Sequence, residues 1–443
     1  MTLIAPAGVL EIARKLEDAG HEAWAVGGAV RDALLELPAQ DWDLATNARP
    51  EQVRAIFRRT IPVGIEHGTV GVLAHDGVMY EVTTFRRDIE TFGRHAIVEF
   101  SDAIDEDLAR RDFTFNAIAW HPRTDEVRDP FHGLEDLRRH RLRTVGDPAQ
   151  RFAEDYLRVL RALRFAGQFG LEIDPDAWRA LTAAVPRLDV LSAERIREEL
   201  WKVLGKSRRA SVALDLYRTS GALDRLYPEL AATVGLDIAA KSGADAWQLA
   251  LRAVDALPPV RPVLRMAALL HTVGYPAARS RDLRGGWRFT GHETIGARKA
   301  NEIMHRLKAS NAETERVVAL VSRQTALFPP DAPPSGIRRW LVHVSPPLVN
   351  DLFRLRIAVC RADQSSGRDL LERWHLAHRI LLQHPPLTVG QLAVSGADLK
   401  ALGLQPGPRF GEILRALLEL VLERPELNSR EQLLDHARRE LLA

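Results

Sequence analysis

Along the first part of the chain the apolar positions change period several times, and each change predicts an element. Val9, Ile12 and Leu16 recur at helical spacing within residues 8 to 19, which predicts a short amphipathic helix. Trp24 to Val26 is an apolar run stopped by Gly27-Gly28 and reads as a buried strand. Ala29 to Leu37 carries helix formers with no breaker before Pro38, and Arg49 to Arg58 reads as a helix behind Pro50. Thr69 to His75 and Met79 to Phe85 flank Asp76-Gly77, a hairpin signal. Residues 87 to 109 are polar and irregular, with a run of acids, and have the composition of a mobile loop.

Helical periodicity dominates from Arg138 onward. RFAEDYLRVLRALRF reads as one helix, with Asp155, Arg158, Arg161 and Arg164 on a slowly drifting stripe beside buried leucines. SAERIREELWKVL is a further helix with Ser192 at its N-cap and a structural role. Residues 205 to 385 look all-α, with helices at 212–217, 246–257, 263–270, 294–307, 313–322 and 368–381. Proline-rich breaks fall at 328–334 and 384–386. The tail pairs two helices about a glycine/proline turn, and Asn428 or Ser429 caps the last helix.

Composition narrows the picture. With 443 residues, 46% hydrophobic and 27% charged, the chain suits two to four soluble domains. A net charge of +2 does not by itself predict a polyanion partner. Locally the balance differs, since Asp136 to Phe165 holds eight arginines against four acids. One cysteine, Cys360, excludes an internal disulfide framework; with no secretory leader and no long apolar run, a cytoplasmic protein with no membrane partner is expected.

Candidate chemistry gathers between Ala23 and Thr46. A glycine pair between strand and helix lets backbone N–H groups approach a phosphate. On a strand, Asp41 and Asp43 would point the same way with Trp42 behind them. Two adjacent carboxylates repel unless a cation lies between them, and oxygen-only ligation suits magnesium. Glu81, in the second hairpin strand, is where a third ligand or a base would be needed. In RRDFTFNAIAW, Arg111 suits a triphosphate or ribose and Asn116 a polar ligand group; the plainer reading is a capped helix burying Phe113, Phe115 and Ile118. Asp155 and Arg158, one turn apart, offer an acceptor and a donor to the edge of a nucleobase.

GGAVRD, DWDLAT, RRDFTFNAIA, EDYLRVLRALRF and ERIREEL, in that order, resemble the class II tRNA nucleotidyltransferases and bacterial poly(A) polymerases, which are polymerase-beta-like enzymes. The resemblance covers roughly residues 20 to 205, and VSGADLKALGLQPGP resembles the family's tRNA-contacting tail. It implies a multidomain α+β chain: a mixed-sheet catalytic head over 1–137, a helical neck over 138–205, a helical body over 206–385 and a tRNA-binding tail over 386–443. It further implies that Asp41 and Asp43 hold Mg2+ and that Glu81 activates an RNA 3′-hydroxyl. Gly27, Gly28 and Arg31 would bind the triphosphate, and Arg111, with Asp112 and Asn116, the sugar or phosphates. Asp155 and Arg158 would pair with the base of CTP or ATP, with Arg161 and Arg164 in support. The implied reaction adds C residues (CC, or the full CCA) to tRNA gripped at its acceptor stem and elbow; poly(A) synthesis or A addition is the alternative. Two departures stand out. The loop around Gly93-Arg94-His95 looks short and has Ala96-Ile97 where the family usually has a Pro-Asp-like pair, which implies CC addition. Residues 262 to 324 resemble an HD-type helical domain but carry Thr272 in place of a metal-binding aspartate and Arg323-Gln324 where a histidine is expected. That implies lost phosphohydrolase activity, with His271 and His292 as packing residues.

Overall fold

The computed structural model describes residues 3–92, 95–281, 286–405 and 407–441, and the side chains of 88–92, 95–98 and 440–441 are not described. It comprises two compact units, Met1–Tyr227 and Pro228–Ala443.

The first unit opens with α1 (Ala7–Asp18), β1 (Ala23–Val26), α2 (Gly28–Leu34), β2 (Asp43–Thr46) and α3 (Pro50–Ile56). Next come β3 (Thr60–Gly64), β4 (Thr69–Leu73), β5 (Met79–Thr84), β6 (Arg86–Phe92), β7 (His95–Phe100), α4 (Ile104–Ala109), β8 (Ala119–Trp120) and β9 (Val127–Arg128). A seven-stranded mixed sheet runs β3-β4-β5-β2-β1-β8-β9. Its centre is apolar on both faces: all four residues of β1 are buried, and Trp24, Val26 and Ala45 pack with Phe85, Leu108 and Ala119. The Asp76-Gly77 hairpin forms as its composition predicts, with Gly77 at φ 78°.

Helices follow: α5 (Gly133–Arg138), α6 (Pro148–Glu154), α7 (Leu157–Phe169), α8 (Pro175–Ala184), α9 (Ala193–Lys206) and α10 (Ala210–Thr219). Phe165 on α7 meets Phe113 and Phe115 edge-on, with centroids 5.8 and 5.5 Å away. The alternate phenylalanines of DFTF are therefore the joint between sheet and helices, and no capped helix forms there: Thr114–Asn116 is a single 3₁₀ turn leading into β8.

Three further expectations are corrected. Residues 87 to 109 are not a loop, because β6 and β7 pair as an antiparallel ribbon and α4 follows; the polar composition hid a two-stranded element. Gly93, Arg94 and the side chains of His95, Ala96 and Ile97, on which the CC reading rests, lie outside what is described. Helix α2 stops at Leu34, not Leu37, because Glu36 turns left-handed (φ 56°) and Leu37 N–H bonds back to the Asp32 carbonyl at 2.9 Å.

The second unit is helical, with each helix expected between 246 and 381 present within a few residues. Two more are present, Pro334–Val344, which begins at the last proline of the 328–334 stretch that reads as a break, and Pro346–Ala362; proline is tolerated in a first turn. It is not all-α, since Ser280–Arg281 and Trp287–Arg288 form a short antiparallel pair. Ser429 caps the Arg430–His436 helix by accepting from Gln432 N–H. Among the described residues no helix is long and apolar enough to cross a membrane.

Candidate active site

One cavity of about 620 Å³ in the first unit collects most of the sequence-predicted site. Gly27, Gly28, Arg31, Asp43, Glu81, Arg111, Asp112, Asn116, Asp155, Arg158, Arg161 and Arg164 all line it. Ten of its lining side chains are arginine or lysine against five acids, so a polyanion is the ligand the field favours.

The phosphate-facing wall is the β1–α2 elbow. Gly27 takes φ 78°, and a Cβ there would come within 3.1 Å of Arg111 Nη1 and 3.9 Å of Asp43 Oδ2. Only a glycine lets the elbow lie this close to both groups. Arg31 is buried, donates to Asn116 Oδ1 at 2.8 Å and stacks over Phe165 and Phe169. Arg111 is held by Asp107 at 3.2 Å, and its buried Nε has no hydrogen-bond partner among the described residues. An oxyanion would satisfy that donor.

The acidic wall differs from expectation. The DWD strand begins only at Asp43, because β1 ends at Val26, the partner of Asp43. Asp41 precedes the strand in a left-handed conformation (φ 50°), exposed and outside the cavity lining, while Trp42 is buried beside Trp120. Glu81 stands on β5, which pairs in parallel with β2 so that Leu44 faces Val82. Burial first, then the neighbouring charge of Glu81, push the Asp43 carboxyl up to about 6; Arg111 opposes the shift and Asp41 adds to it. Among the described residues no three His, Cys, Asp or Glu side chains are gathered into a ready metal cage. The donor set nonetheless fits a hard divalent cation, since it is all carboxylate oxygen and, after burial, the charges of Glu81 and Asp41 add to the rise at Asp43.

The base-reading wall is corrected in one important respect. Asp155 and Arg158 do not share a helix. Asp155 sits in the break between α6 and α7, extended at φ −152°, and its Oδ1 accepts from Leu157 N–H at 3.0 Å. Its carboxylate is bidentate with Arg195 of α9, at 3.1 and 2.6 Å. Arg158 pairs with Glu154 and donates to the carbonyls of Arg151 and Arg110. Arg161 is fixed by Asp112 at 2.7 Å; burial works against the Asp112 charge, but Arg161 and Asn116 outweigh it and hold the carboxyl at about 2. Arg164 is buried on Glu199 at 2.6 Å. Sequence reasoning missed Arg195 and Glu199 as site residues. Their four-residue spacing in ERIREEL, which puts both on one helix face, was the available signal.

In the second unit His271 is buried, its Nδ1–H donating to the Ala268 carbonyl at 2.6 Å, and burial lowers its pKa to about 4. His292 donates likewise to Phe289 and lies against Tyr275, with centroids 4.2 Å apart. Gln324 donates to the His271 carbonyl, and Thr272 is fully buried.

Fold and cavity together define a nucleotidyltransferase with a poly(A) polymerase-type head. Residues 23–143 match the "Poly A polymerase head domain" family and residues 170–233 the family described as "Probable RNA and SrmB- binding site of polymerase A". The CCA-adding enzyme of Anoxybacillus flavithermus is 35% identical over 435 residues, covering 97% of this chain and 96% of the relative. That of Geobacillus stearothermophilus is 33% identical over 431 residues, covering 96% and 94%. The crystal structure of the Bacillus stearothermophilus CCA-adding enzyme in complex with CTP superposes with a TM-score of 0.74 at 31% identity, covering 99% of this chain and all of that one. The chain belongs to the CCA-adding enzyme family, the class II tRNA nucleotidyltransferases.

Proposed function

We propose that this chain adds cytidylate to the 3′ end of tRNA from CTP, without a nucleic-acid template. The observation that carries the proposal is the single cavity in which a glycine elbow, two arginines, the Asp43–Glu81 carboxylate pair and Asp155/Arg158 face one another. The N–H groups at Gly27 and Gly28, with Arg31 and Arg111, hold the triphosphate. Asp43, with Asp41, would hold Mg2+, which when bound would supply positive charge to this wall and stabilise oxyanions. Glu81 takes the proton of the RNA 3′-hydroxyl, whose oxygen bonds to the α-phosphorus as pyrophosphate departs. Asp155 accepts from the exocyclic amine of cytosine while Arg158 donates to its ring edge; uracil presents a carbonyl where the amine should be and is refused. Arg161 and Arg164, with Asp112 and Asn116, keep that wall in register. We assign the head and neck boundary to residue 137, the body to 206–385 and the RNA-gripping tail to 386–443, and the 262–324 region to scaffolding. tRNA lies along the arginine-bearing helices and is held through phosphates.

The test is extension of tRNA lacking its CCA end with magnesium and each triphosphate separately. Extension with CTP is expected; incorporation of ATP alone would point to an A-adding enzyme, and no extension with CTP would end the proposal. Sequencing 3′ termini made with both triphosphates fixes whether the product ends in CC or CCA.

A further inference from the structure

The outward face of strands β3, β4 and β5 carries a feature that the cavity does not use. Cross-strand partners share a face, and Gly71 is opposite Glu81 on one side and Ile61 on the other. Met79 lies two residues along from Glu81 and so shares its face. The opposite face carries the buried Val70, Val72, Tyr80 and Val82. Val63 lies in the bulge between Pro62 and Gly64. A Cβ at Gly71 would come within 2.9 Å of both Met79 Sδ and Val63 Cγ2, so these two side chains close over a strand that glycine leaves bare. Ile61 is 52% exposed, Val63 45% and Met79 45%. Singly such residues are ordinary; three together on the face of a candidate catalytic carboxylate form a patch.

We propose that Ile61, Val63 and Met79 form the platform on which the 3′-terminal base of the RNA acceptor lies. The inference rests on the function proposed above. If Glu81 takes the proton of the attacking hydroxyl, that oxygen stands within about 3 Å of it. The nucleoside bearing the hydroxyl then extends away from the triphosphate. Strand geometry puts Met79 about 7 Å from Glu81 along β5 and Ile61 about 10 Å away across two strand spacings, which are neighbouring positions to a nucleoside seated over Glu81. The strip offers flat apolar contact and no side-chain hydrogen bond. It would therefore support any base, as stacking surfaces do. An enzyme whose acceptor end changes identity after each addition needs such tolerance at this position, while Asp155 and Arg158 discriminate at the incoming nucleotide.

The experiment uses the full chain with Ile61→Ser/Met79→Ser, and Ile61→Leu/Met79→Leu as the apolar control, both at exposed positions. For the serine pair kcat/KM for acceptor RNA should fall about tenfold or more, equally for acceptors ending in different bases, with KM for CTP unchanged and the leucine pair near wild type. Acceptor RNA with 2-aminopurine as its terminal base should change fluorescence on binding to the wild-type and leucine proteins but not to the serine pair. Unchanged acceptor kinetics and fluorescence in the serine pair would overturn the proposal, as would an equal rise in KM for CTP. If the wild-type chain failed to extend RNA with CTP, the function above would fall, while the fluorescence comparison would still decide whether the strip seats the terminal base.

Discussion

Asp43 is the residue on which the chemistry turns, and its environment makes a specific prediction. Its carboxyl is raised from the ordinary 3.8 to about 6 by burial and by the charge of Glu81. The folded, metal-free protein therefore binds a proton there more tightly than the unfolded chain does. The stability this confers is complete below about pH 3.8 and is lost as pH rises through about 6. We predict that, without magnesium, the melting temperature of Asp43→Asn relative to wild type climbs between pH 4 and 7, and that saturating magnesium shrinks the difference at pH 7. A pH-independent difference would contradict this. At the same scale the sequence was only partly legible. The DxD pattern named both acids, but not that strand pairing ends at Asp43, which leaves Asp41 in a left-handed turn.

Elements decide how the base-reading residues are held. The run from Arg151 to Phe165 looks like one helix because it contains no glycine or proline. The break comes instead from the Asp155 carboxylate capping Leu157 N–H and from Arg195 reaching across from α9. The first interaction spans two residues, but the second spans forty, so no window of sequence could reveal it. Helix α9 thus sets two cavity residues, Asp155 through Arg195 and Arg164 through Glu199. Replacing Arg195→Met should free the Asp155 carboxylate and lower the preference for CTP over UTP roughly tenfold. A lost preference is read from competing incorporation rates, and an unchanged ratio would show that Asp155 is held without Arg195. Glu199→Gln leaves Arg164 buried without its carboxylate. It should destabilise the chain by about 3 kcal/mol in chemical denaturation. By contrast, the β4–β5 hairpin was legible because its information is local: Asp76-Gly77 between alternating runs.

At the scale of the whole molecule, a near-neutral chain still lines one cavity mostly with positive charge. The overall +2 gives no hint of ten basic side chains around a single cavity, whereas the arginine-rich stretch from Asp136 to Phe165 did. RNA binding dominated by phosphate contacts should weaken by about tenfold or more between 50 and 200 mM salt, measured by fluorescence anisotropy. Affinity indifferent to salt would contradict a phosphate-held RNA. The order of the five motifs carried the family because each lies at a wall of the same cavity. Asp107, outside the motifs, and Arg195, inside ERIREEL but not singled out there, are partners that keep those walls in place.

The most direct test is the single-turnover rate of CTP incorporation into tRNA lacking its CCA end, measured for wild type and Asp43→Asn at saturating magnesium. With circular dichroism showing the variant folded, the rate should fall by a factor of roughly a thousand. Incorporation by folded Asp43→Asn at the wild-type pace would show that the carboxylate pair beside the glycine elbow is not where the transfer happens.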